Sequence, residues 1–196
     1  MKFIYIFLIT TLLAVGAQAA MSPLSVSLVP PLQFPPDDFS VTGARISVLW
    51  GRHRSVYGLD VGGVGNITDQ NFVGIGVAGG FNATHGTTTI LGLQLAGGAN
   101  INTQKTQVFG VQAALGFNYN EAASSVTGLQ IAIANISKHT NIYGVQAGIY
   151  NTAQTVYGFQ IGLVNVASSL YGVQIGLLNF HHKGIFSVSP LINVGF

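Results

Sequence analysis

The 196-residue sequence has no cysteine, one tryptophan and only 6% charged residues. Each scarcity excludes something. Without Cys the fold cannot be stapled by disulfides, even in an exported chain where such bonds persist, and no thiol is present to carry an N-terminal lipid. Seven Lys and Arg against five Asp and Glu leave a net charge of +2, which is neither a nucleic-acid footprint nor an acidic tail. Beyond the first segment no stretch reaches the ~18 uninterrupted apolar residues of a membrane helix, although the mean hydropathy is +0.50. Apolar content without such runs, mixed with 26 glycines, points to strands and turns.

The chain opens as a secretory signal peptide, with Lys2 as the positive end, Phe3 to Val15 as the apolar stretch and Ala17-Gln18-Ala19 as the cleavage site. The expected organisation is a signal peptide at 1–19, a Pro-rich extension at 20–41 and one repeat domain at 42–196. The extension carries Pro23, Pro30, Pro31, Pro35 and Pro36 with Asp37 and Asp38, a composition that argues against a central strand. Two roles are open to it. It is a linker, or it lies across the mouth of the domain with Leu32 or Phe34 against the interior.

One unit recurs through the remainder: Tyr57-Gly-Leu-Asp-Val-Gly, Leu91-Gly-Leu-Gln-Leu-Ala, Tyr157-Gly-Phe-Gln-Ile-Gly, Tyr171-Gly-Val-Gln-Ile-Gly and kin. Its anchor glycines stand at 58, 74, 92, 110, 128, 144, 158 and 172, with a weaker copy at Gly43. Each copy alternates a greasy face with a small or polar one, the mark of a strand between unlike surroundings. Each then reaches an Asn (66, 82, 100, 118, 135, 151, 165, 179), read as a turn residue, and a short polar stretch.

A repeat of one strand and one turn fits an antiparallel up-and-down transmembrane β-barrel of about ten strands, apolar outward and polar inward. The alternative is a parallel β-solenoid with stacked Gln and Asn. The barrel is preferred because the anchor spacing drifts from 14 to 18 residues, which hairpins tolerate and uniform coils do not. On this reading Arg45, Asp60, Gln94, Gln112, Gln130, Gln146, Gln160 and Gln174 face the lumen, with Arg45 and Asp60 on neighbouring strands as an interior pair. The alternating end of the chain, with Val194 and the terminal Phe196, is expected to act as a C-terminal insertion signal. Tyr57, Phe109, Tyr143, Tyr157 and Tyr171 suit an interface girdle.

Motifs with chemical potential are few. Gly74-Ile-Gly76-Val-Ala-Gly79 has the spacing of a dinucleotide loop, but it is another strand copy with no helix to follow. His181-His182 lacks acidic or Cys partners at metal-ligand spacing, and no serine stands in a nucleophile-elbow context. No enzymatic activity, metal or cofactor is expected. The sequons at Asn66, Asn82 and Asn135 are what Asn-rich repeats yield by chance.

The repeat, the lead-in Val41-Thr-Gly-Ala-Arg-Ile-Ser-Val-Leu-Trp-Gly51 and the ending Pro190-Leu-Ile-Asn-Val-Gly-Phe196 together resemble an uncharacterised bacterial surface-repeat family. That family is seen in leptospires and other Gram-negative lineages, often as lipoproteins, and the likeness covers almost the whole chain after the signal peptide. The lipid-bearing Cys is missing here, which favours integral insertion. The resemblance implies a surface location and no established activity; the signal peptide and the barrel reading add the outer membrane of a Gram-negative cell, with membrane lipid and the barrel-assembly machinery as expected partners. A structural or envelope-organising role, with a narrow pore as a variant, is the expected function. The alternative is a secreted or surface-attached solenoid acting as a binding module or adhesin.

Overall fold

The computed structural model describes residues 20–184 and 187–196; the expected signal peptide, residues 1–19, lies outside them. The described residues form strands without a helix: β1 (Met21–Val29), β2 (Leu32–Phe34), β3 (Ser40–Ser47), β4 (Trp50–His53), β5 (Ser55–Gly62), β6 (Gly65–Thr68), β7 (Phe72–Ala78), β8 (Phe81–Thr84) and β9 (Thr88–Ala96) come first. They are followed by β10 (Ala99–Asn102), β11 (Thr106–Ala114), β12 (Phe117–Asn120), β13 (Ser124–Ile131), β14 (Ala134–Ala147), β15 (Tyr150–Ile161), β16 (Val164–His181) and β17 (Val188–Gly195).

The strands stack in parallel, not antiparallel. β3, β5, β7, β9, β11, β13, β14, β15 and β16 pair in sequence with like residues opposite like, so that Gly110 lies against Gly92 and Gly128, and Gln112 against Gln94 and Gln130. A second stack of β4, β6, β8, β10 and β12 continues into β14, again in parallel. The chain is therefore a β-solenoid of about ten turns. The expected up-and-down transmembrane barrel is overturned.

The drift that favoured hairpins is absorbed at the corners of each coil. From anchor glycine to Asn the count is eight residues in the earlier coils (58 to 66) and seven in the later ones (128 to 135). From Asn to the next glycine it runs from seven (151 to 158) to ten (100 to 110). Strand segments thus keep a fixed phase, and the extra residues loop out at the turn after the Asn. Even the first turn is stacked, Gly79 N–H donating to Gly62 O at 3.0 Å and Gly116 N–H to Gly98 O at 2.8 Å.

The anchor glycines explain the bend within the first stack. Gly58, Gly110, Gly144 and Gly158 have φ between +132 and +135°, a backbone state that L side chains rarely adopt. An added Cβ on Gly158 would meet the carbonyl oxygen of Gly144 in the coil before. Only glycine lets the chain turn there while adjacent coils keep strand spacing.

Both ends are covered. The Pro-rich segment is part of the stack: β1 forms the first rung against β3, and β2 folds back antiparallel on β1. No barrel mouth exists for it to plug, and Leu32 and Phe34 are exposed. At the other end β17 runs antiparallel along β16. The Asn residues, read from sequence as turn residues, lie inside the second strand of each coil.

Candidate functional site

The alternation is resolved in an unusual sense: the polar side chains go in and most of the greasy ones stay out. Among the described residues, buried polar side chains outnumber buried apolar ones by about two to one. The apolar core reduces to one column, Val41, Val56, Phe72, Ile90, Val108, Val126, Ile142, Val156 and Leu170, one residue per coil, with alanines beside it. Such an interior is tolerable only where every amide is paired.

The pairing is supplied by two amide ladders. Asn66 donates to Asn82 (3.0 Å), Asn82 to Asn100 (2.9 Å), Asn100 to Asn118 (2.8 Å) and so on through Asn165 to Asn179 (2.8 Å). Each Nδ2 also donates to a backbone carbonyl, as Asn151 does to Ile161 O at 3.0 Å, which fixes the amide orientation. The second ladder holds the Gln residues expected in a lumen. Gln112 donates to Gln94, Gln130 to Gln112, Gln146 to Gln130, Gln160 to Gln146 and Gln174 to Gln160, all at 2.7–2.8 Å. Asn193 of β17 closes the series by donating to Gln174 at 3.0 Å.

Arg45 and Asp60 occupy the same column in earlier coils, fully enclosed. Arg45 Nε and Nη2 donate to the two oxygens of Asp60 at 2.7 and 2.6 Å, and Nη1 donates to Ile67 O at 2.7 Å. Burial pushes the Asp60 carboxyl up while the guanidinium pulls it back, and the forked geometry is that of an ionised pair. Gly76 follows in the column, and the ring of Phe72 moves into the space it leaves, 3.3 Å from where a Cβ would stand. A void of about 10 Å³ remains there, room for one water.

His53, not singled out in the sequence, is a further fully buried titratable group. Its Nε2 lies 3.2 Å from Pro35 O and 3.2 Å from Ser25 Oγ. A carbonyl only accepts, so Nε2 carries the proton. Burial first, then the positive charge of Arg45, lowers its pKa to about 4. This Ser–His contact is enclosed, with both residues fully buried. His181 accepts the Leu170 N–H through Nε2 at 3.1 Å. Among the described residues no three His, Cys, Asp or Glu gather as metal ligands.

The exterior is apolar over both stacks and the turn between them. Leu59, Ile75 and Phe159 point outward from the first stack, Tyr150 from the second, and Ile133, Ile149, Leu163 and Leu177 from the turn between them, all exposed. Tyr143, Tyr157 and Tyr171 form a stacked outward column with ring centroids 4.9 and 4.8 Å apart. Of the two residues expected as an insertion signal, Val194 lies in β17 and Phe196 just past its end, and both are exposed. Polar groups concentrate at the turn after the Asn: Asp69, His85, Lys105, Glu121, Lys138 and His139.

That polar edge is stepped. Along β14 the register against β15 slips between Ser137 and Asn141, so Lys138, His139 and Thr140 stand opposite Gln154 alone. Beside the step a recess of about 260 Å³ opens between Tyr119, Glu121, Ile136, Lys138 and His139, floored by Asn120. The only sequence signal for it was the change in coil length. No family model, curated protein or solved structure matches the chain, so its resemblance to surface-repeat proteins rests on the residues quoted above.

Proposed function

We propose that the chain is an exported, envelope-associated β-solenoid that works by binding rather than by catalysis, and that membrane lipid covers its apolar exterior. The observation that carries this reading is the inverted polarity: amides and an ion pair inside, aliphatic and aromatic side chains outside. In water a monomer rarely exposes an apolar patch beyond a few hundred Å², and each Å² so exposed forgoes about 25 cal/mol. Hydrocarbon imposes the opposite demand, that backbone polar groups be paired within the molecule. Coil-to-coil strand pairing meets that demand along both stacks, and the two ladders pair most of the amides between them. The apolar surface also spans both stacks and the turn between them, so a second copy laid on one face would leave the others uncovered. Lipid covers all of them, with the polar edge kept at the water side.

The signal-peptide reading of residues 1–19 and the surface-repeat resemblance favour the outer membrane as the place of work. The barrel-assembly machinery was expected only as the means of inserting a barrel, and that premise is gone. The test is flotation of the chain from residue 20 onward with phosphatidylcholine vesicles. Co-flotation that survives high salt, with a blue shift of Trp50 emission, is the expected result. A monodisperse monomer left at the bottom of the gradient would overturn the reading, and a discrete lipid-free oligomer would replace lipid by a second copy.

A further inference from the structure

We propose that the recess at the step of the polar edge binds a zwitterionic head group, a phosphate ester that also carries a protonated primary amine. The proposal rests on the lipid-facing reading above and adds the identity of what is recognised. The recess exists because two coils of different width meet there. The turn carrying Glu121 belongs to the last of the 18-residue spacings, anchor 110 to 128, while the bulge carrying Lys138 and His139 belongs to the narrower coil that follows. The wall between them is not closed by strand pairing at that level.

Its chemistry is two-signed. Glu121 supplies a carboxylate and Lys138 an ammonium, yet among the described residues the ion pairs are those of Arg45, Arg52 and His85 with Asp60 or Asp69, and none joins Glu121 to Lys138. A simple anion at Lys138 would be opposed by Glu121, and a simple cation at Glu121 by Lys138. One ligand bearing both charges satisfies both. A phosphate oxygen accepts from Lys138, and a primary ammonium donates to Glu121. The volume of about 260 Å³ is ample for such a head group.

The location supplies the rest of the lipid. Tyr119 and Ile136 pair directly across β12 and β14, are half-buried, and lead from the recess onto the apolar outer face of the second stack. Acyl chains attached to the phosphate would run along that face. A trimethylated ammonium has no N–H to give Glu121, so the site separates ethanolamine from choline head groups.

The experiment compares partition of the exported chain onto vesicles of phosphatidylcholine alone and of phosphatidylcholine mixed with phosphatidylethanolamine. The expected preference for the ethanolamine lipid is about threefold, the scale of one exposed charge pair. Glu121→Gln and Lys138→Gln, both in exposed positions, should each remove the preference while leaving partition onto phosphatidylcholine unchanged. Competition by millimolar free O-phosphoethanolamine would assign the preference to the head group by itself; persistence of the preference would assign it to the membrane-held form. Equal partition of the unaltered chain onto both vesicles overturns this site and leaves the lipid-facing reading intact. Binding to neither overturns the lipid-facing reading, and the site is then judged by NMR titration with free O-phosphoethanolamine. A saturable shift at residues 119–139 that Glu121→Gln abolishes upholds it, and no shift sinks it.

Discussion

The coils before and after Gly128 solve the same packing problem differently. Anchor spacings up to Gly128 reach 18 residues, and the first turn is built around glycine pairs such as Gly79-Gly80 and Gly97-Gly98. There a Cβ on Gly79 or Gly97 would strike the carbonyl of the coil before. After Gly128 the spacing falls to 16 and then 14, the turn loses a residue, and Ile149, Leu163 and Leu177 point outward from it. Strands then run through the corners, so that β15 and β16 are 12 and 18 residues long. The interior differs too. The later coils repeat Gln in one column without exception, whereas the earlier ones open it with Arg45, Asp60 and Gly76 before Gln94 and Gln112. The repeat is strict where side chains must find partners inside and free where a corner faces outward.

Breaking the earlier region should cost most. Arg45→Met leaves the Asp60 carboxylate buried and alone, and should lower stability by about 3–5 kcal/mol, read as a fall in urea midpoint at constant slope. The double variant Arg45→Gln with Asp60→Gln extends the amide column by two rungs. It should recover most of that loss; a double variant as unstable as the single one would show that the column depends on charge.

The ladders sharpen the comparison. Asn151→Leu removes an acceptor from Asn135 and a donor from Asn165, both buried, and should cost about 3 kcal/mol. Asn66→Leu lies at the start of its ladder, where Asn66 Oδ1 already lacks a partner. Its cost should be about 1 kcal/mol. Equal urea midpoints for the two variants would mean that position along the ladder is irrelevant.

Acid should act on the first coils through His53. His53 is held neutral, with a pKa lowered to about 4 from its ordinary 6.5. Between those values the unfolded chain binds the proton and the folded chain does not. The contribution is therefore complete above pH 6.5 and declines as pH falls through 4. The loss should be about 3 kcal/mol, and His53→Gln should flatten that part of the stability profile.

Much of this was legible in the repeat. Strand character, the period, the inward sense of the polar face and the side-by-side placement of Arg45 and Asp60 all follow from alternation and copy alignment. Direction of pairing did not. An apolar outer face with a polar inner one is what a membrane barrel shows, and nothing in the alternation of a single strand tells whether its neighbour runs the same way. The Asn residues misled because Asn suits turns. Their near-constant distance from the anchor glycine, seven or eight residues against seven to ten on the other side, was the signal that they sit at fixed phase in a second strand. The recess left only the change in coil length at Gly128 as a trace in the sequence, since it arises from two turn lengths meeting in space.

The two ladders differ in one respect that bears on how long such a molecule can grow. Asn side chains donate toward the C-terminal end, as Asn151 does to Asn165, whereas Gln side chains donate toward the N-terminal end, as Gln160 does to Gln146. Like-directed amides sum into a macrodipole, as in a helix. Here two files of amide dipoles run head to tail in opposite senses through one interior, so polarisation cancels coil by coil. Where a coil carries both amides, adding or removing its two ladder rungs leaves that cancellation intact, which makes the paired rungs a unit that can be duplicated without building up a field along the interior.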